Sequence, residues 1–370
     1  MSEITIKPEG AAYGGRTYAI VDALSMPTPE RKWFQQWRDG GLACVNTCVA
    51  VWESSQETLA LLDKWRRVVA QNSDLVAIAT SVEEIEKIRL SGRTAIVIGF
   101  QNTAAVDHNI DLFGTFRDLG VCIMQLTYNL QNYIGCGYWE ENDSGISSRF
   151  GRKALEEMNK VGILIDLSHC GERTTLEAID RSAAPVAITH ANPREFVGPG
   201  VYGAGRQKTT EAIKALAARQ GVIGLSPNRN MTKYGAATTL EQFGDMVAWT
   251  ADLVGIDAIA IGSDYCPGHT GAVRSWWRYA RWSRESAPAE QMTMAPHEGW
   301  GEWIKTPAGL SNIITELARR GFKQDEIAQV MSGNWMRLFA QAFVPMVQAS
   351  PAPPQQGASQ QPFSSKQLAV

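Results

Sequence analysis

Nine short apolar runs alternate with amphipathic stretches along most of this chain, and that alternation restricts the fold more than any other feature. The runs are 18–24 (YAIVDAL), 42–51 (LACVNTCVAV), 75–80 (LVAIAT), 94–100 (TAIVIGF), 121–127 (VCIMQLT), 163–169 (ILIDLSH), 185–190 (PVAITH), 222–227 (VIGLSP) and 256–264 (IDAIAIGSD). They are nearly continuous in apolar residues, the pattern of parallel strands covered on both faces. The segments between them are helix-like. SSQETLALLDKWRRVV opens with capping chemistry, and GRKALEEMNKVG and TTEAIKALAARQG each end in the glycine that commonly stops a helix. Strand and helix alternating this often means α/β. Eight strands close a (β/α)8 TIM barrel, so one run is surplus, and 75–80 is expected to be accessory. An open doubly wound sheet is the competing arrangement. No Gly-x-Gly-x-x-Gly follows the first run, which counts against it.

The barrel is expected to occupy 18–348 as a single domain, with 1–17 as an N-terminal extension and a C-terminal helical pair within AGLSNIITELARRGFKQDEIAQVMSGNWMRLFAQAF. From 349 to 370 the chain turns to Pro, Gln and Ser without apolar periodicity, the composition of a disordered tail. A net charge of −3 gives no basic surplus for nucleic acid. There is no charged-then-apolar leader and no apolar run near the roughly 20 residues of a membrane span, so a cytoplasmic protein with no membrane partner is expected. The six scattered cysteines then read as reduced thiols, with Cys44 and Cys48 packing in a strand rather than holding zinc.

Chemistry in such a barrel collects at the carboxyl ends of the strands. Read in order, those ends offer Asp22 to Met26, Gln101-Asn102-Thr103, Tyr128-Asn129, Ser168-His169, Thr189-His190, Ser226-Pro227-Asn228 and Asp264-Tyr265-Cys266. His169 and His190 close successive strands. Neighbouring strands lie about 4.8 Å apart, so two such imidazoles can reach one ion. Asp264, across the mouth, can take a proton. His269 follows closely enough to face the mouth, whereas His108 and His297 read as loop or surface residues.

With these residues in place, the chain resembles the membrane (renal) dipeptidase family, peptidase family M19, zinc enzymes of the amidohydrolase-like, metallo-dependent-hydrolase barrel type. ILIDLSH and PVAITHANPRE are similar to the family's two histidine-ligand segments, AIAIGSDY to its last-strand segment with the catalytic Asp, and GFKQDEIAQVMSGNWMRLF to its C-terminal helices. RQKTTEAIKALAARQGVIGLSPN is similar to the segment whose leading Arg, here Arg206, holds a substrate carboxylate. The resemblance covers roughly 18 to 343 and departs at four positions. The first-strand His-x-Asp ligands read Leu24 and Met26, the bridging Glu reads Gln101, and a substrate-binding His reads Tyr128.

These departures argue against a two-zinc centre. Leu has no donor, thioether sulfur is a poor partner for zinc, and Gln cannot bridge as a carboxylate does. At most one zinc per chain is expected, on His169 and His190 with Gln101 or Asp264, or none. The catalytic set is then Asp264, His169, His190 and Tyr128; Arg206, Gln101, Asn129, Asn228 and Tyr265 are expected to bind substrate, a small molecule with a carboxylate. Three functions fit: a dipeptidase-like hydrolase of a peptide- or amino-acid-derived substrate, a tailoring enzyme that isomerises, eliminates or oxidises such a metabolite, and a non-catalytic binding protein. SWWRYARWSR at 275–284, with Arg274 before it, reads as an amphipathic surface helix, a lid over the mouth, or a homodimer contact; its Trp276, Trp277 and Trp282 lie among Arg278, Arg281 and Arg284.

Overall fold

A computed structural model describes residues 3–146, 148–198, 204–279 and 301–346. Its first three strands, β1 (Thr5–Lys7), β2 (Gly10–Tyr13) and β3 (Arg16–Tyr18), form a small antiparallel sheet, so the N-terminal extension has a structure of its own. Eight parallel strands follow in barrel order: β4 (Ile20–Asp22), β5 (Leu42–Ala50), β7 (Thr94–Phe100), β8 (Val121–Gln125), β9 (Leu164–Asp166), β10 (Ala187–Ile188), β11 (Val222–Leu225) and β12 (Ile259–Ile261). The ring closes between its ends. Ala23 N–H donates to Ile261 O at 3.2 Å, and Ser25 bridges to Tyr265 in parallel register.

The ninth run is the accessory strand. β6 (Val76–Ile78) pairs with Thr94–Ile96 of β7, while β8 pairs with Ile98–Phe100, so the two divide β7 between its first and second halves. The capping chemistry ahead of 55–71 is a full capping box, in which Ser54 and Glu57 satisfy each other's backbone N–H. Gly162 ends Arg149–Val161 in the left-handed conformation. The helix Thr210–Ala218 ends differently from the glycine stop expected: Gln220 takes the positive φ, and Gly221 is required for space. A Cβ there would lie 2.6 Å from Val186 O.

Helical chain from Gln324 to Ala342, with one π turn at Gln329–Gly333, closes the amino end of the barrel. Trp335, Leu338 and Phe339 pack in one cluster with Val21, Ala95, Val222 and Ala260 of β4, β7, β11 and β12. Trp335 Nε1–H donates to Ile261 O at 2.9 Å, so its polar end is satisfied inside the plug. The amino end is thereby sealed, and the carboxyl end carries the polar residues. The tail at 349–370 lies outside the described residues.

Candidate functional site

Two strands of this barrel end at a buried aspartate, and both aspartates do the same job. Asp166 Oδ1 accepts Ser168 N–H (3.1 Å), Ser168 Oγ–H (2.6 Å) and Thr189 N–H (2.9 Å), and Oδ2 accepts Thr189 Oγ1–H (2.7 Å). The carboxylate thus takes over from the strand ladder and fixes the turns that carry His169 and His190. Asp22 repeats the device with the last strand: Ser263 N–H and Oγ–H donate to it at 2.7 and 2.5 Å, and Leu24 N–H at 3.3 Å. That clamp sets Leu24 on one strand end and Asp264 on the other. Burial raises the carboxyl pKa of both aspartates, Asp22 to about 7, against the opposing effect of their hydrogen bonds.

The histidines face each other. His169 Nε2 and His190 Nε2 are 3.1 Å apart. Their outer nitrogens are assigned by their partners. Asn129 Nδ2 donates to Arg278 O, which leaves Asn129 Oδ1 to accept from His169 Nδ1 at 2.7 Å. Because the Thr189 hydroxyl hydrogen goes to Asp166, Thr189 Oγ1 accepts from His190 Nδ1 at 2.8 Å. Both Nε2 atoms therefore carry lone pairs. Burial holds both imidazoles well below the usual histidine range, and the Arg206 and Lys208 charges push the same way.

Two buried cations hold these turns from behind. Arg206 donates from Nη1 to Ser168 O (3.2 Å) and from Nη2 to His190 O (2.9 Å). Lys208 Nζ donates to Cys170 O (2.8 Å) and Thr175 Oγ1 (3.1 Å), and burial lowers it to about 8. Asp264 sits in the left-handed region at φ 55, and Asn228 Nδ2 donates to its Oδ2 at 2.9 Å. Burial raises Asp264 to about 6, opposed first by Arg206. Tyr128 lies flat on His169, with ring centroids 4.1 Å apart.

The other half of the mouth is apolar. Leu24 and Met26, 1% and 4% exposed, pack with Cys48, Val51, Trp52, Cys266 and Trp277. Gln101 faces this cluster, with Nε2 3.5 Å from Met26 Sδ. The segment expected over the mouth contributes a helix, Gly271–Tyr279, whose Trp277 closes the cluster and whose backbone O accepts Trp52 Nε1–H at 2.7 Å. His269 also reaches it, donating from Nε2 to Met26 O at 3.0 Å. Trp282, Arg281, Arg284 and His297 lie outside the described residues.

The structure thus brings His169, His190, Tyr128, Asn129 and Arg206 into one contact set, and pairs Asp264 with Asn228. It turns Tyr265 away: the hydroxyl donates to Gln36 on the outer helix Arg31–Asp39 at 3.3 Å. Cys266 takes the inner place instead, with Sγ 3.5 Å from Asp264 Oδ1. Lys208, Trp52 and the two clamp aspartates were not among the site residues expected from sequence. In the sequence the clamps show only as an aspartate closing an apolar run, in AIVD and ILID; the serine partner of Asp22, Ser263, lies 241 residues away.

A parallel (β/α)8 barrel with paired histidines and an aspartate at its carboxyl mouth defines the metallo-hydrolase class of barrels. Within that class the chain belongs to the membrane dipeptidase family, peptidase family M19, whose pattern matches residues 23–277. An amidohydrolase from Pseudomonas aeruginosa superposes with a TM-score of 0.78 at 31% identity, over 88% of this chain and 97% of that one. A metallo peptidase from Rhodobacter sphaeroides, liganded with a phosphinate mimic of the dipeptide L-Ala-D-Ala, shares the fold at a TM-score of 0.71 and 14% identity, over 88% of this chain and all of that one (100%). Among curated proteins, dipeptidase tcpJ of Claviceps purpurea is 24% identical over 289 residues, 77% of this chain and 60% of the relative. Dipeptidase 3 of Rattus norvegicus is 23% identical over 300 residues, 76% of this chain and 51% of the relative. The match thus spans only about half to three fifths of these relatives. Among the described residues no helix is long and apolar enough to cross a membrane.

Proposed function

We propose that this dipeptidase-like barrel acts as an enzyme on a small peptide- or amino-acid-derived substrate bearing a carboxylate, and that it holds at most one zinc ion, on His169 and His190. The supporting observation is the pair of Nε2 lone pairs 3.1 Å apart. Two unprotonated nitrogens that close repel unless a cation lies between them, and imidazole nitrogens bound to one zinc at about 2.0–2.1 Å come about 3.0–3.4 Å from each other. The residues therefore fit one ion. They do not fit a second, because Leu24 and Met26 stand in an apolar cluster under Trp277. Among the described residues no group of three His, Cys, Asp or Glu side chains converges to hold a metal, so other oxygen donors such as Gln101 or water must complete the shell.

An ion at this place supplies Lewis acidity. The chain's own groups do the rest. Asp264, raised to about 6, is ionised at neutral pH yet basic enough to accept a proton. Asn228 fixes one of its oxygens. Tyr128 presents a phenol beside His169, where it can orient a polar substrate atom. Arg206 supplies a fixed positive charge that draws a carboxylate, while two of its N–H groups hold the histidine turns.

The test is metal content of the purified chain, together with dipeptide hydrolysis in added zinc. The expected result is no more than one zinc per chain, lost in H169A and H190A, with dipeptide turnover that falls with it. Two zinc ions per chain and rapid hydrolysis overturn the reading of Leu24 and Met26. One zinc with no hydrolysis of any dipeptide supports the tailoring reaction, which Tyr128 favours as a proton donor in place of the family's His.

A further inference from the structure

Beside the mouth, and separate from the histidine pair, lies a cavity of about 610 Å³ between the loops that follow β5, β7 and β8. Its size is that of a small-molecule site. Trp52, Leu130, Ile134 and Phe150 give it an apolar body. Among the described residues the charged ones lining it are Asp107 and Glu140, with no Lys, Arg or His. Glu140 is held in place, its Oε1 accepting Gln131 N–H at 2.5 Å. An apolar body with two acidic residues in its lining favours one chemical class, a protonated amine on an apolar frame. The face of Trp52 adds attraction for the same charge.

Trp52 is the wall shared with the mouth. Its ring meets Tyr128 edge-on with centroids 6.4 Å apart, and Tyr128 stacks on His169. Its indole N–H is fixed on Trp277 O. A molecule in this cavity therefore touches a side chain two ring contacts from His169, without entering the histidine pair.

We propose that this cavity is a binding site for a small organic ammonium ion with an aromatic or aliphatic body, held by Asp107 and Glu140. The site does not depend on the reaction or on any metal. The experiment is calorimetric titration of the full chain with phenethylamine, and with 3-phenylpropionate, which has the same phenyl body and the opposite charge. Phenethylamine is expected to bind at least about tenfold more tightly, since two carboxylates attract one and repel the other. The D107N/E140Q double variant keeps the cavity, and the new amide oxygen still accepts Gln131 N–H; it is expected to lose that preference. Ala104→Trp, placed on the lining, is expected to abolish phenethylamine binding. Thermal unfolding checks that each variant is folded, and the double variant decides if Ala104→Trp is not. Equal binding of the two probes, no binding of phenethylamine, or binding unchanged in the double variant overturns the proposal.

Discussion

Replacing Asp166 separates two roles that the structure gives it, support of the fold and assignment of the His190 proton. Asp166→Ala removes the acceptor of four bonds at once. The two hydroxyls can turn to each other, since Ser168 Oγ and Thr189 Oγ1 are already 3.1 Å apart. The Ser168 and Thr189 N–H groups have no such freedom. At about 1–3 kcal/mol for each orphaned buried donor, the expected loss is about 2–6 kcal/mol, read from urea unfolding at pH 6. Asp166→Asn is milder, about 1 kcal/mol, because its carbonyl oxygen still accepts both N–H groups. Its NH2 then faces Thr189 Oγ1, and the threonine hydrogen must go elsewhere. His190 Nδ1, 2.8 Å away, can accept it. The imidazole proton would move to Nε2 and point at His169. Nitrogen-15 NMR of histidine-labelled protein reads this tautomer directly, and five histidines keep the spectrum assignable. Loss of metal affinity by about 10–100-fold should accompany it. An Asp166→Ala loss below about 1 kcal/mol refutes the supporting role. A His190 that keeps its Nδ1 proton in Asp166→Asn refutes the relay.

Burial raises Asp22 to about 7, so the folded chain keeps a proton that the unfolded chain has released between pH of about 4 and about 7. That stability is fully present below pH of about 4 and lost as pH rises to about 7; Asp22→Asn should therefore gain relative to the native chain from pH 4.5 to pH 8, by as much as about 3 kcal/mol in urea unfolding, and a difference independent of pH refutes this. Trp335→Ala should cost about 3–5 kcal/mol in the same assay, as it empties the plug and leaves Ile261 O with Ala23 N–H alone; a loss under about 1 kcal/mol means the plug is not packed as described. Met26→Asp puts an unpaired carboxylate among Cys48, Trp52 and Trp277 and should lower Tm by more than about 5 °C, whereas L24H/M26D should recover part of that when zinc is added; an unchanged Tm for Met26→Asp would show that this half of the mouth is wet.

The barrel was legible because parallel strands buried on both faces leave continuous apolar runs, and because the residue ending each run faces the mouth. That reasoning located the histidine-bearing turns and the accessory 75–80 segment. It misplaced Tyr265 for a local reason. Asp264 takes a left-handed φ of 55, which reverses the facing expected for its neighbour, and nothing in GSDY announces it. Long-range partners were also out of reach. Trp52 and Trp277 are 225 residues apart and meet only because two loops converge. Arg206 was legible only through the resemblance, as the leading Arg of its segment, and its bonds to Ser168 O and His190 O depend on a fold that brings backbone carbonyls to it. A stop at Gly221 was legible as a glycine, but the need there is for space, and Gln220 supplies the turn.

The repeated clamp explains how one half of this mouth could change while the barrel did not. A strand-end residue is aimed by the bonds behind it, not by its own chemistry. On β9 and β10, Asp166 and the Ser168–Thr189 pair aim His169 and His190 at one point. On β4 and β12, Asp22 and Ser263 aim Leu24 and Asp264 with equally short bonds. The clamp at Asp22 is complete, yet it presents a leucine. Nothing in the scaffold therefore resists replacement of the presented residue, provided the new side chain finds company. Leu24 and Met26 find it in Cys48, Trp52 and Trp277. A charged pair there would need an ion to neutralise it; an apolar pair needs only a cover, and the 271–279 helix supplies one. Leu24 and Met26 thus give the mouth an apolar wall, with Tyr128 packed against it.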